Sequence, residues 1–240
     1  MLPPWVFEKR ASFRWDASFE EDESDFERLS RLYAYYDEVA AEFQVVCAEG
    51  CAVCCTRSVW VTRLEARWLL SRLSADRIRW VCRSLQEAGR NEAHSVPKMS
   101  LLASLTVVEE VETLKEEEEA DASSTSAGRC PLLDTDRCTI YDARPFACRC
   151  MSSRSPCAST GFADQPERLL WMNVLFLQAI EHLDRQGFTG NLIDVVPFVE
   201  EGQGNVERFV PNMALKGWVL PPHCRAQLKG VAERLWAIIS

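Results

Sequence analysis

Three histidines are all that the 240 residues offer for imidazole chemistry. None of His94, His182 and His223 stands in an H-x-E or H-E-x-x-H pattern. The chain also lacks a Walker loop, a dinucleotide-type glycine pattern and a G-x-S-x-G elbow, so phosphate-cradling and serine-hydrolase roles have no support. Basic residues are in deficit, 27 against 36 acidic for a net charge of −9, so no overall field draws the chain to nucleic acid or an anionic membrane. No long apolar run is present. The most apolar stretch, Leu169 to Ile180, is broken by Asn173 and Gln178 and falls well short of the ~20 residues of a bilayer span. The opening Met1 to Arg10 meets charge at Glu8 without an apolar core of signal-peptide length, so the expected compartment is cytoplasmic. With 47% hydrophobic and 26% charged residues, wholesale disorder and rod-like folds are excluded.

What the sequence has in quantity is cysteine, eleven residues in all. A secreted disulfide scaffold would be denser, typically above ~8–10% of a much shorter chain. In a reducing compartment, clustered cysteines bind metal or do redox work. The first cluster, Cys47-Ala-Glu-Gly-Cys51-Ala-Val-Cys54-Cys55, puts four cysteines in nine residues. The second runs Cys130-Pro-Leu-Leu-Asp-Thr-Asp-Arg-Cys138-Thr-Ile-Tyr-Asp-Ala-Arg-Pro-Phe-Ala-Cys148-Arg-Cys150, with Cys157 beyond it. Only Cys82 and Cys224 stand alone, as expected of buried small hydrophobes. If the first cluster is helical, Cys47, Cys51 and Cys54 or Cys55 share a face. If it is looped, Gly50 lets the chain wrap a centre. Either way, several thiolates converge on one metal or cluster.

The spacing bears on which metal. A structural zinc site usually takes two short knuckles, and here only Cys51-x2-Cys54 is present. A compact three-cysteine loop with a remote fourth ligand suits an iron–sulfur cluster. The cofactor expected is therefore an iron–sulfur cluster or a zinc or iron ion, with thiol redox chemistry a weaker alternative. Cys47-x3-Cys51-x2-Cys54 also matches the three-cysteine loop of radical S-adenosylmethionine enzymes. Val53 stands where those motifs carry an aromatic, and the chain lacks their alternating strands and helices.

Cys54-Cys55, Val61-Thr-Arg-Leu-Glu65 and the Cys130-Pro-Leu-Leu … Cys138-Thr-Ile-Tyr-Asp-Ala-Arg-Pro-Phe-Ala-Cys148-Arg run resemble the YkgJ-type cysteine-cluster family over about residues 45–160. That family is described as a zinc- or iron-chelating domain with eight cysteines. The resemblance implies a ligand set of Cys47, Cys51, Cys54, Cys55, Cys130, Cys138, Cys148 and Cys157. The first gap is one residue longer than the family's C-x2-C-x2-C-C, and Cys150 lies outside its pattern. Some flagellin lysine methylases are similar in this motif, which keeps a modifying enzyme in view.

The apolar pattern predicts helices over 22–47, 62–73, 74–88 and 223–239, and over 166–186 a helix apolar on most sides that is expected at the centre of the core. Thr62 and Glu65 have capping-box spacing. Residues 98–107 read as helix or strand, and Leu192 to Val199 as a short strand or extended segment. An arm over 1–21 precedes a single cysteine-cluster domain over 22–240, with an acidic and Ser-rich linker at 109–128 inside it. The expected class is mainly α: a compact helical domain with irregular cysteine-bearing loops around a metal centre. Arg129, Arg144 and Arg149 either temper the thiolate charge or pair with Asp134, Asp136 and Asp142. The alternatives to a metal-binding protein are a cluster-dependent redox or group-transfer enzyme and a zinc-stapled interaction module. A metal ion or cluster is the partner expected; the sequence names no protein partner.

Overall fold

The computed structural model describes residues 13, 23–48, 50–91, 94–111 and 128–240. The expected arm lies outside these apart from Phe13, as does most of the acidic and Ser-rich linker. The chain is mainly α, with nine helices among the described residues. They are α1 (Glu23–Ala40), α2 (Arg63–Ser71), α3 (Ala75–Asn91), α4 (Leu101–Val111), α5 (Phe146–Arg149), α6 (Cys157–Thr160), α7 (Glu167–Leu183), α8 (Leu192–Glu201) and α9 (Pro222–Ile239). No described helix is long and apolar enough to cross a membrane.

The central helix is α7, packed between α9 and α1, with α8 against α2 and α3. Tyr33 and Tyr36 project from α1 at helical spacing and meet Phe176 of α7 and Phe146 of α5. Phe146 and Phe176 stack at 5.5 Å between centroids, and Tyr36 meets Phe146 edge-on at 4.7 Å. Offset-stacked and edge-to-face pairs of this kind add about 0.5–1.5 kcal/mol each beyond the area they bury. The four-residue α5 is too short to hold itself together in water, so this aromatic packing fixes its place.

A small antiparallel sheet stitches the helices. Strand β1 (Trp60–Thr62) pairs with β4 (Phe188–Asn191) in the register Val61↔Gly190, and β4 pairs with β5 (Val210–Pro211). A Cβ at Gly190 would lie 2.6 Å from the Phe209 ring, so the close approach requires glycine. A separate hairpin joins β2 (Leu133–Asp134) to β3 (Arg137–Cys138).

Two expectations need correction. The helix predicted over 22–47 stops at Ala40, and Cys47 lies in irregular chain beyond it. The segment Leu192 to Val199, read as extended from its branched apolar residues, is helix α8. Asn191 caps that helix by accepting the Ile193 amide at 3.0 Å, and the extended stretch lies just before it, in β4. Burial of Leu192, Ile193, Val195, Val196 and Phe198 on several faces outweighs the β preference of the branched residues. Residues 101–111 resolve as helix.

Candidate metal centre

The first cysteine segment folds as consecutive turns. The Cys51 amide donates to Ala48 O at 3.0 Å, Cys55 to Ala52 O at 3.1 Å and Thr56 to Cys54 O at 3.0 Å. Gly50 sits at φ +91°, a left-handed conformation that glycine takes without steric cost. The looped alternative is therefore the one adopted. Buried Asn191 anchors the end of this loop by donating to Arg57 O at 2.8 Å.

The second segment is held to the first at two places. At one, the Val46 amide donates to Ser153 O at 2.8 Å. At the other, the Cys130 amide donates to Cys55 O at 3.0 Å, and Arg57 donates from its amide to Gly128 O at 3.2 Å. Cys130 then leads into the β2–β3 hairpin, whose turn places Thr135 at φ 55°. Arg129 braces that turn through Asp136 and the Thr135 carbonyl. Thr139 ties the hairpin base to Leu132 O at 2.7 Å, and Arg77 of α3 reaches Thr139 O at 3.0 Å.

Beyond Pro145, the backbone enters α5 through a contact made by Glu65. One carboxylate oxygen of Glu65 accepts the Phe146 amide at 2.8 Å and the Tyr33 hydroxyl at 2.9 Å. The other accepts the Thr62 amide at 3.0 Å and its hydroxyl at 3.1 Å, completing the capping box expected from sequence. Burial raises the Glu65 carboxyl above its usual range against the pull of these donors. Residues 150–157 are clamped in turn. The Cys150 carbonyl accepts from Gln165 at 2.7 Å, and the Ser153 hydroxyl accepts the Asp164 amide at 2.9 Å.

This framework brings Cys47, Cys51, Cys54, Cys55, Cys130, Cys138, Cys148 and Cys157 onto the wall of one cavity of about 1200 Å³, with Cys150 beside them. Cys82 and Cys224 are buried elsewhere. No described cysteine is in a disulfide, and Cys51 is the one exposed member of the nine around the cavity. Burial pushes the Cys47 thiol up, the Ser153 amide facing its sulfur pulls it back, and Cys51, Cys157 and Cys54 add their charge. The Cys54 thiol donates to the Cys55 sulfur, which raises Cys54 and lowers Cys55. Cys55 also feels Cys130, Cys148 and Cys138. Burial raises Cys130, Cys138 and Cys148, while the Leu132 and Ile140 amides face the sulfurs of Cys130 and Cys138. Burial takes Cys150 up to about 12, and its thiol donates to Ala147 O at 3.6 Å within its own helical turn.

The cavity fits thiolates bound to a cation. Without a cation, half-buried thiols that face one another are costly to ionise, whereas amide-to-sulfur hydrogen bonds favour the charged form. The arginines divide as follows. Arg149 pairs with Asp37 at 3.3 Å and Arg129 with Asp136 at 2.6 Å. Arg144 has no carboxylate partner among the described residues; it lies over the Tyr141 ring at 3.9 Å and tempers the charge of Cys54, Cys138 and Cys148. Its Nε is buried without a hydrogen-bond partner.

Among the described residues, the one trio of metal-ligating side chains whose donor atoms all lie within 4.8 Å is Glu167, His223 and Cys224, outside this cavity. The cavity sulfurs are thus spread more widely than that. Sequence reasoning passed over Arg57 and Arg77, which temper Cys130 and Cys138. It also passed over Tyr36, which lines the cavity and donates to Asn173 at 2.9 Å. No local pattern marks these residues, because they arrive from other elements. Comparison of the chain with protein-family models, curated proteins and solved structures finds no match.

Proposed function

We propose that this chain is a metal-binding protein that holds an iron–sulfur cluster, or a zinc or iron ion in its place, through thiolates of both cysteine segments. The observation that carries the reading is the gathering of all eight motif cysteines, from segments that begin at Cys47 and Cys130, around one cavity. Amide-to-sulfur contacts and the Arg144 guanidinium supply the neighbourhood in which thiolate ligands are retained. The wide spacing of the sulfurs supports a polynuclear centre, whose own sulfides hold its cysteine ligands apart. The reading agrees with the motif resemblance to YkgJ-type proteins, and eleven cysteines without a described disulfide suit a reducing, cytoplasmic setting.

Anaerobic purification followed by iron, zinc and acid-labile sulfide analysis tests it. Iron with sulfide and broad visible absorption is expected. Stoichiometric zinc without sulfide overturns the cluster, and metal-free protein overturns the reading altogether.

A second reading, a cluster-dependent enzyme, draws on the size of the cavity and on its rim. Exposed Val53, Met151, Phe162 and Tyr141 line it beside Arg144. That is an apolar mouth in which Arg144, unlike Arg129 and Arg149, is not ion-paired among the described residues, the character of a small-molecule site. An interaction module using metal only as a staple would need no such opening.

A further inference from the structure

We propose that the cysteine cavity holds two metal centres, one on Cys47, Cys51, Cys54 and Cys157 and the other on Cys55, Cys130, Cys138 and Cys148. The inference rests on the metal-binding reading and divides its site. A single tetrahedral ion or four-cysteine cluster takes four thiolates. It would leave four more cysteines on the same wall as neutral thiols, their ligating capacity unused.

Backbone contacts, with the influence of each sulfur on its neighbours, sort the eight into two neighbourhoods. Around Cys47, the Val46–Ser153 hydrogen bond and the Ser153 amide on the Cys47 sulfur bring the 153–157 stretch to the first loop. The charges that reach Cys47 come from Cys51, Cys157 and Cys54. Around Cys55, the Cys130–Cys55 hydrogen bond fixes the second neighbourhood, and β3 returns Cys138 opposite Leu133, whose amide donates to Cys130 O at 3.3 Å. The charges that reach Cys55 come from Cys130, Cys148 and Cys138. Each set therefore mixes the segments, three cysteines from one and a single cysteine from the other.

Adjacent Cys54 and Cys55 form the seam, one serving each set. Splitting a cysteine run between two centres is an established device, since the last cysteine of a bacterial ferredoxin run ligates the other cluster. Two thiolate centres side by side carry several negative charges, and the arginines are placed accordingly. Arg144 acts on Cys54 of one set and on Cys138 and Cys148 of the other, while Arg57 and Arg77 act on Cys130 and Cys138. The first set contains Cys51, the one exposed cysteine of the cavity, where solvent and chelator reach it. It should release its metal first.

The test treats purified full-length protein with EDTA while iodoacetamide traps each freed thiol, with metal, sulfide and alkylated peptides followed in time. About half the metal should leave in a first phase with alkylation of Cys47, Cys51, Cys54 and Cys157. Cys55, Cys130, Cys138 and Cys148 should stay protected until a second phase. Cys157→Ser, purified in the same way, should retain about half the metal with the second set protected. Release of all metal in one phase with all eight cysteines alkylated together, or a metal-free Cys157→Ser, overturns the two-centre division. So does a preparation in which one set of four is open from the start. Protein with no metal and all eight cysteines open at the outset instead overturns the metal-binding reading itself.

Discussion

Replacing Glu65 tests how the helical core positions the cysteines. Its two oxygens each accept a backbone amide that cannot turn away, Phe146 N–H on one and Thr62 N–H on the other. Glutamine matches the shape but has one oxygen, so one of these amides must face an NH2 group, and a hydroxyl beside it loses its acceptor. A buried donor left unsatisfied costs about 1–3 kcal/mol, which puts Glu65→Gln at roughly 2–6 kcal/mol. Alanine removes the acceptor from the Phe146 and Thr62 amides and the Tyr33 and Thr62 hydroxyls alike, about 4–12 kcal/mol by the same reckoning. Against a total stability of about 5–15 kcal/mol, the alanine variant stands near the edge of folding. Because the Phe146 amide opens the helix that bears Cys148, Glu65→Gln should also lower metal content. Denaturant midpoints at constant m-value, with metal per chain measured on folded protein, make the assay. A midpoint shift for Glu65→Gln worth less than about 0.5 kcal/mol, the level of an ordinary surface change, would refute the reasoning.

Cys82→Ser and Cys224→Ser should leave metal per chain unchanged, since neither lines the cavity, at a stability cost of about 1–3 kcal/mol for a hydroxyl in an apolar site. Metal loss from either, by elemental analysis, would misplace the centre. Opposite pH slopes are expected with and without metal. Thiols such as Cys47, Cys130 and Cys138 have folded values raised by burial. The stability this contributes to the metal-free form is complete below the ordinary thiol value of about 8.5 and is lost as pH rises through the folded values. The loaded form instead sheds metal as pH falls, because protons compete for the thiolates; thermal melts of both forms from pH 5 to 10 check the signs. Removing metal should speed amide exchange at Val46, Cys51, Cys55 and Cys130, all held by loop contacts, and leave α7 protected. Uniform loss of protection across α7 in exchange mass spectrometry would contradict this.

The helical frame was legible where apolar residues recur on one face, as along α3, and where a long apolar segment marks a core helix, as along α7. It failed where tertiary burial decided the matter. Leu192 to Val199 carries strand-like residues, yet Asn191 caps a helix there and the core covers it from several sides. The end of α1 was missed because Val39, Ala40 and Phe43 keep the helical rhythm past Ala40, where the chain turns. The eight cysteines that the motif resemblance implies all line the cavity, and so does Cys150, which lies outside that pattern. Their grouping was not legible, because it depends on which carbonyl each amide finds. The Val46–Ser153 and Cys130–Cys55 pairs join residues more than seventy positions apart.

On the metal-binding reading, the same contacts divide the work between folding and metal capture. Closing a loop of some seventy residues costs entropy that grows only with the logarithm of its length. The Glu65, Asn191 and aromatic contacts offset that cost from the core side. They set α5 and the end of the first loop in place through neutral donors and ring packing rather than through sulfur. What they do not supply is charge balance. Arg57 and Arg77 temper Cys130 and Cys138, and Arg144 tempers Cys138 and Cys148 as well as Cys54. On the two-centre proposal, the arginines temper one side of the cavity, and the Cys47–Cys51–Cys54–Cys157 side, where Cys51 meets solvent, would depend on the positive charge of its metal.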